Sequence, residues 1–273
     1  GMIEPILVGP QRKIEATAAA AGVSLDGVRI EDAPHSHAAA ERAVDLVREG
    51  AAQAIMKGSL HTDEVMAAIV RDTLGLKTER RISHIFVIDA PLYPNLILVS
   101  DAAVNILPDL MAKPDIVQNT IDLARAIGVD RPKVAILSAV ETVTPKIPST
   151  MDAAALCKMA DRGQISGGLL DGPLAFDNAI SRDAAAAKGI VSDVAGDADV
   201  LIVPDLEAGN ILAKQLVFLA GAEDGGIVLG ARCPVMLTSR ADSPAARIAS
   251  VALAQLYVRW AERRLAAKIA AGE

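Results

Sequence analysis

Short runs rich in Val, Ile and Leu recur along the whole chain, at 6–8, 28–31, 54–56, 82–88, 96–99, 134–137, 167–170, 200–203, 227–229 and 235–238. The stretches between them are mostly alanine-rich and carry apolar residues at helical spacing. This alternation predicts βα units on a mainly parallel sheet, because strands buried on both faces need helices on both sides. Hydrophobic residues make up 52% of the chain, yet only three Phe, two Tyr and one Trp are present. The core must therefore be built from Ala, Val, Ile and Leu, which suits close helix-on-sheet layers. A chain of 273 residues exceeds what most single cores use, so two α/β lobes around a cleft are expected.

A net charge of −7 disfavours a nucleic-acid or anionic-membrane surface, since such partners need clustered Lys and Arg. An anionic substrate would then need a locally positive pocket. The apolar runs fall well short of the roughly 20 residues that span a bilayer, and residues 3–9 read as a strand and turn, not as a secretion signal. Cys157 and Cys233 stand apart with no metal-ligand spacing, so neither a zinc site nor a disulfide framework is indicated. The cytoplasm is the default compartment, and no fixed-period repeat is found.

Helix starts are signalled by Thr62 before Asp63 and Glu64, by Ser149 after Pro148, and by Ser243 before Pro244. The last segment keeps helical spacing from Ser243 to about residue 271 and ends with Arg263, Arg264 and Lys268; for its later part a dimer contact and a solvated terminal helix are both open. In open parallel sheets the carboxyl ends of strands and the helix starts that follow form the ligand crevice, so chemistry is sought there.

The segment PVMLTSRADS at 234–243 ends a strand in Ser239-Arg240 and turns into a Pro-started helix. A hydroxyl, a guanidinium and helix N–H groups meeting at one place make an anion site. In MKGSLHT at 56–62, Lys57 and Thr62 are candidates for phosphate contacts; taken alone, the segment favours a solvated lysine, a helix cap and a solvated His61. The polar loop after the strand at 134–137 carries Ser138 and Ser149 and is stiffened by Pro145 and Pro148. Asp171, Asp205 and Glu207 lie just beyond apolar strands, but their spacing does not set the oxygen geometry of a metal site. No nucleophile elbow, P-loop, dinucleotide fingerprint or zincin motif occurs.

Seven blocks in order resemble the phosphate acetyltransferase/phosphate butyryltransferase family: MKGSLHT at 56–62, RRISHIFVID at 80–89, SDAAVNI at 100–106, the loop and helix at 133–154, RGQISGGLLDGPLAFDNAIS at 162–181, DVAGDADVLIVPDLEAGNILAK at 193–214 and PVMLTSRADS. The forms SRADS, SDAAVNI and SAVETVTPK look nearer the butyryl branch. The resemblance implies two α/β/α lobes like those of isocitrate/isopropylmalate dehydrogenases, with residues 1–78 and 231–273 in the first lobe and 79–230 in the second. It implies exchange of a short acyl group, acetyl to butyryl, between coenzyme A and phosphate. Coenzyme A would be a substrate, with no resident cofactor or metal, and a homodimer would be the assembly.

On this reading Ser239 and Arg240 are catalytic, while Lys57, Thr62, Ser138, Ser149, Asn210 and Lys214 bind phosphate, acyl group or coenzyme A. Two departures from the family pattern stand out. Ala246 occupies the position where the acetyl branch carries a proposed Asp base, and a βα unit usual before the first strand is not seen. A non-catalytic acyl-CoA-sensing domain is the alternative these departures keep open; a metal- and NAD-dependent dehydrogenase of related fold is a more distant one.

Overall fold

The computed structural model describes residues 2–239 and 242–272. Its elements run β1 (Ile6–Gly9), α1 (Gln11–Ala21), β2 (Arg29–Asp32), α2 (Ser36–Arg48), β3 (Ile55–Met56), α3 (Thr62–Ile69), β4 (Ser83–Asp89), β5 (Ile97–Ser100), α4 (Lys113–Ala126), β6 (Lys133–Leu137), α5 (Pro148–Asp161), β7 (Leu169–Leu174), α6 (Phe176–Ile180), α7 (Arg182–Ala187), β8 (Val200–Ile202), α8 (Leu206–Ala220), β9 (Glu223–Leu229), β10 (Val235–Met236) and α9 (Pro244–Ala271). Every apolar run singled out in the sequence contributes a strand.

β1 and β2 form a separate parallel pair, and the other strands make one sheet in the order β3-β10-β9-β4-β5-β8-β6-β7. Pairing is parallel at one side, between β3 and β10, and at the other, through β5, β8, β6 and β7. The middle is antiparallel: β9 pairs with β10 and with β4, and β4 pairs with β5. Parallel arms on either side of an antiparallel seam therefore point their carboxyl ends in opposite directions. At Thr78 the hydroxyl donates to the Gly230 carbonyl at 2.6 Å, beside the Lys77–Ala231 bridge.

The strands carry their apolar residues to both faces. Ile85, Val87, Leu98, Val134 and Val200 pack with α4, α5 and α9 on one side, and Ile97, Val99, Leu137 and Leu201 with α6, α8 and their neighbours on the other. A third cluster joins α2 and α3 to β3 and β10 through Val44, Val65, Ile69 and Val235. At about 25 cal/mol per Å² of apolar surface removed from water, these layers are what stabilises the sheet.

Several local expectations are corrected. α3 is capped by His61, not Thr62: the Glu64 carboxylate accepts from the His61 N–H at 2.9 Å, and Thr62 is the first helical residue and exposed. α5 is preceded by Ile147, and Ser149 lies inside the helix; Thr150 closes the loop instead, its hydroxyl accepting from Thr144 N–H at 2.9 Å. Pro148 supplies the helix start by its fixed φ, which leaves Ser149 free of that duty. Asp171 belongs to β7, which runs through Gly172-Pro173 to Leu174 by a shift of register against β6 between Ala135 and Leu137. β9 starts at Glu223, four residues before its apolar run, because seven backbone pairs with β4 impose strand geometry on Glu-Asp-Gly-Gly.

The terminal helix is packed along its first half and largely exposed beyond residue 264. Its first half packs on β9, where a Cβ at Gly225 would lie 3.0 Å from that of Ala249. Farther along, Arg264 reaches the buried Asp122 of α4 at 3.1 Å and stacks over Trp260, while Arg80 takes the other Asp122 oxygen at 2.7 Å. A buried carboxylate with two guanidinium partners depends on both, and its removal strands two half-exposed charges. Asp122→Ala is expected to lower unfolding stability by about 2–4 kcal/mol, less than a fully buried pair because water screens the arginines. Urea midpoints at unchanged m-value check this, and a change within experimental scatter would refute the clamp.

Candidate active site

β3 and β10 run side by side and stop together. The Lys57 N–H donates to the Met236 carbonyl at 2.9 Å and the Thr238 hydroxyl to the Lys57 carbonyl at 2.8 Å, so Lys57 and Ser239 leave adjacent strand ends. The Lys57 side chain is buried, its ammonium 3.4 Å from the Gly58 carbonyl and 3.3 Å from that of Leu60. The Ser239 N–H donates to Asp242 Oδ2 at 2.6 Å, and the Ser239 carbonyl accepts from Arg247 at 3.3 Å. Ser243 then caps α9, accepting from the Ala246 N–H at 3.0 Å with Pro244 behind it, as its sequence signals. Arg240 lies outside the described residues.

The second arm of the sheet brings a different set together. The Val203 N–H donates to the Ser100 carbonyl at 2.9 Å and the Ser138 N–H to that of Leu174 at 2.9 Å, so β5, β8, β6 and β7 end at one level. There the hydroxyls of Ser138 and Ser149 meet at 2.8 Å. Asn210 donates to the Ala102 carbonyl at 3.2 Å, tying α8 to the loop after β5. Lys214 is one turn farther along α8 and exposed.

Three residues outside the expected set shape this place. Asp101 is buried and takes four donors: Ala103 and Val104 N–H at 3.0 and 3.1 Å on Oδ1, the Asn105 N–H and side-chain amide at 3.0 and 2.5 Å on Oδ2. A Cβ at Gly209 would come within 2.9 Å of the Asp101 carbonyl, so only glycine lets α8 approach this loop. The block SDAAVNI contained the signal, an Asp followed by small residues and an Asn, which is a loop closed by its own side chains.

The third is His84, on β4 in the seam between the two arms. Ser100 pairs with Ile85, which sets Asp101 beside His84, while Val228 pairs with both His84 and Val235. Burial pushes the imidazole pKa down to about 4 against the pull of the Asp101 and Asp242 charges, so the ring is neutral at pH 7. Burial, then the Asp242 charge, raises the pKa of Asp224 on β9. Carboxylates from both arms thus act on one seam.

Among the described residues no group of His, Cys, Asp and Glu is placed to hold a metal ion. Burial pushes the thiols of Cys157 and Cys233 up to about 12, which leaves neither as a thiolate nucleophile at neutral pH. Position 246 offers no proton acceptor in its side chain, and its carbonyl accepts from Ser250 at 2.9 Å. Among the described residues no helix is long and apolar enough to cross a membrane.

A family model for phosphate acetyl/butaryl transferase matches residues 36–255. A phosphate acetyltransferase of Rhizobium meliloti is 61% identical over 271 residues, which is 99% of this chain and 85% of that protein. A phosphate butyryltransferase of Clostridium acetobutylicum is 42% identical over 94% of this chain and 85% of that protein. Among solved structures, a branched-chain phosphotransacylase from Enterococcus faecalis superposes with a TM-score of 0.80 at 28% identity, covering 93% of this chain and 98% of that one. A 4-hydroxythreonine-4-phosphate dehydrogenase from Klebsiella pneumoniae, at 15% identity and a TM-score of 0.52 over 94% of this chain and 90% of that one, shares the fold alone.

The depressed His84 pKa makes a stability prediction whose sign is fixed. The unfolded chain takes up a proton near pH 6.5 and the folded ring only near 4, so folding weakens as pH falls through that window and not above it. The loss reaches about 3 kcal/mol at most. In His84→Phe the phenyl ring cannot titrate, so the difference between the wild-type and variant stability curves should open only below pH 6.5. Parallel curves from pH 7 to 4.5 in denaturant titrations would show that the ring is not held neutral.

Proposed function

Because this chain belongs to the phosphate acetyl/butaryl transferase family, we propose that the paired ends of β3 and β10 hold inorganic phosphate against the thioester of a short acyl-CoA. The chain is a phosphate acyltransferase, converting acyl-CoA and phosphate to acyl phosphate and coenzyme A. The observation that supports this reading of the site is the Ser239–Asp242 contact: the Ser239 N–H is held by Asp242 just ahead of the start of α9, with Lys57 on the neighbouring strand end.

A phosphate oxygen attacks the thioester carbonyl carbon, the carbonyl oxygen becomes an oxyanion, and the thiolate of coenzyme A leaves. Positioning and fixed charge suffice for this, without a covalent enzyme intermediate. We assign Arg240 to the phosphate and the developing oxyanion, Ser239 to the sulfur or carbonyl oxygen, and the positive end of α9 to the same charge. Lys57 and Thr62 complete the phosphate side. Ser138, Ser149, Asn210 and Lys214 serve the acyl and coenzyme A side from the other arm. We further propose a division into lobes at 1–78 with 231–273 and at 79–230, with these two groups on opposite walls of one cleft. A cytoplasmic homodimer without resident cofactor completes the reading.

On acyl length, the SRADS, SDAAVNI and SAVETVTPK forms point to butyryl, whereas the greater identity lies with an acetyltransferase. Identity over 99% of the chain outweighs three short blocks, so acetyl is the acyl group proposed here. One methylene changes apolar pocket binding by about 1–3 kcal/mol, which a rate comparison resolves.

Free-thiol release from acetyl-, propionyl- and butyryl-CoA in the presence of phosphate tests both statements. Arg240→Ala should lower kcat/KM by roughly 100-fold or more, as loss of an oxyanion-stabilising group does. Arg240→Ala turning over at the wild-type rate would remove Arg240 from the mechanism, and a preference for butyryl-CoA would reverse the acyl assignment.

A further inference from the structure

His84 is 3% exposed, and its Nδ1 has no hydrogen-bond partner among the described residues. A buried polar atom left unpaired costs stability, and native proteins keep few of them without a use. Its ring is nonetheless held firmly. It stands edge to face with Phe86 at 4.4 Å between centroids, and it lies on Gly226, where a Cβ would come within 2.8 Å of Nε2. The glycine makes room for the ring, and the ring therefore has a set direction for Nδ1.

Two carboxylates act on this imidazole, and they differ in what they can still accept. Asp101 already takes two donors on each oxygen, which fills its capacity. Asp242 accepts the Ser239 N–H on one oxygen and sits half-buried at the mouth of the proposed phosphate site. We propose that His84 is a positioning residue for acyl transfer: in the substrate-bound protein its Nδ1–H donates to Asp242 and locks the Ser239–Ser243 turn onto the seam of the sheet. A neutral ring with its proton on Nδ1 is the form a neighbouring carboxylate selects. The bond acts through Asp242 on the Ser239 N–H and so sets how Ser239 meets the anion. This inference rests on the phosphate site proposed above.

The test uses the full chain and the thiol-release assay. His84→Phe keeps the ring on Gly226 and removes Nδ1; kcat should fall about tenfold or more while KM for acetyl-CoA stays within about twofold. Asn places an amide N–H where Nδ1 stands and Gln places one where Nε2 stands, so His84→Asn should recover most of the lost kcat and His84→Gln should not. In a cycle with Asp242→Asn, the double variant should be no slower than the slower single one, as coupled partners require. Full kcat in His84→Phe, equal behaviour of Asn and Gln, or multiplying effects in the cycle would each overturn the proposal. Should the variants fail to fold, ¹⁵N spectra of imidazole-labelled wild type decide: adding inorganic phosphate and coenzyme A should shift Nδ1 to a hydrogen-bonded N–H, and an unchanged resonance refutes it. Wild-type protein without turnover would sink the function reading, whereas wild-type turnover with indifferent variants sinks this inference alone.

Discussion

Seven backbone pairs between β4 and β9 set the height of every other strand in the large sheet. Because β9 also carries β10, and β4 also carries β5, this seam decides how far the parallel arms overlap and which of their ends come near each other. A slip of one residue would turn Ile85 and Val87 from their core layer to the opposite face and carry His84 away from Gly226. The register that buries the core is thus the one that sets the chemistry, and the two cannot be changed separately.

The arms contribute unlike things. β3 and β10 bring a lysine and hydroxyl groups together ahead of a helix start, the place we propose for an anion, joined by bonds between Lys57, Met236 and Thr238. The other arm brings one hydroxyl pair, Ser138 with Ser149, and the Asn210 amide on the Ala102 carbonyl, neutral polar groups that we propose face the thioester and its carrier. With a net charge of −7, a polyanion approaches the molecule against the overall field, so the site proposed at β3 and β10 depends on local positive charge.

Much of this was legible in the residues. Alternating apolar and alanine-rich runs located every strand, since burial on both faces leaves a continuous apolar mark. Blocks such as PVMLTSRADS identified the strand ends, because Ser, Arg and a Pro-started helix have few other reasons to follow one another. What escaped notice is the part decided by contact between distant segments. Glu223-Asp224-Gly225-Gly226 has no strand signature, and only its pairing with β4 and the packing of His84 and Ala249 explain two glycines there. Caps were misjudged at Thr62 and Ser149 for the opposite reason: local backbone details invisible in sequence start the helices after His61 and after Ile147, and leave Thr150 to close the loop.

The difference between a structural and a chemical buried polar group also depends on such contacts. Asp101 and His84 are neighbours, both buried, and both follow apolar or hydroxyl residues in short motifs. Asp101 has every lone pair filled by its own loop, so its charge is spent on holding residues 102–105 and, through Ala102, on seating α8. His84 has a fixed ring and a nitrogen unpaired among the described residues, which is a poor way to stabilise a fold and a good way to keep a donor in reserve. Satisfaction of hydrogen bonds, more than burial or residue type, separates the two roles.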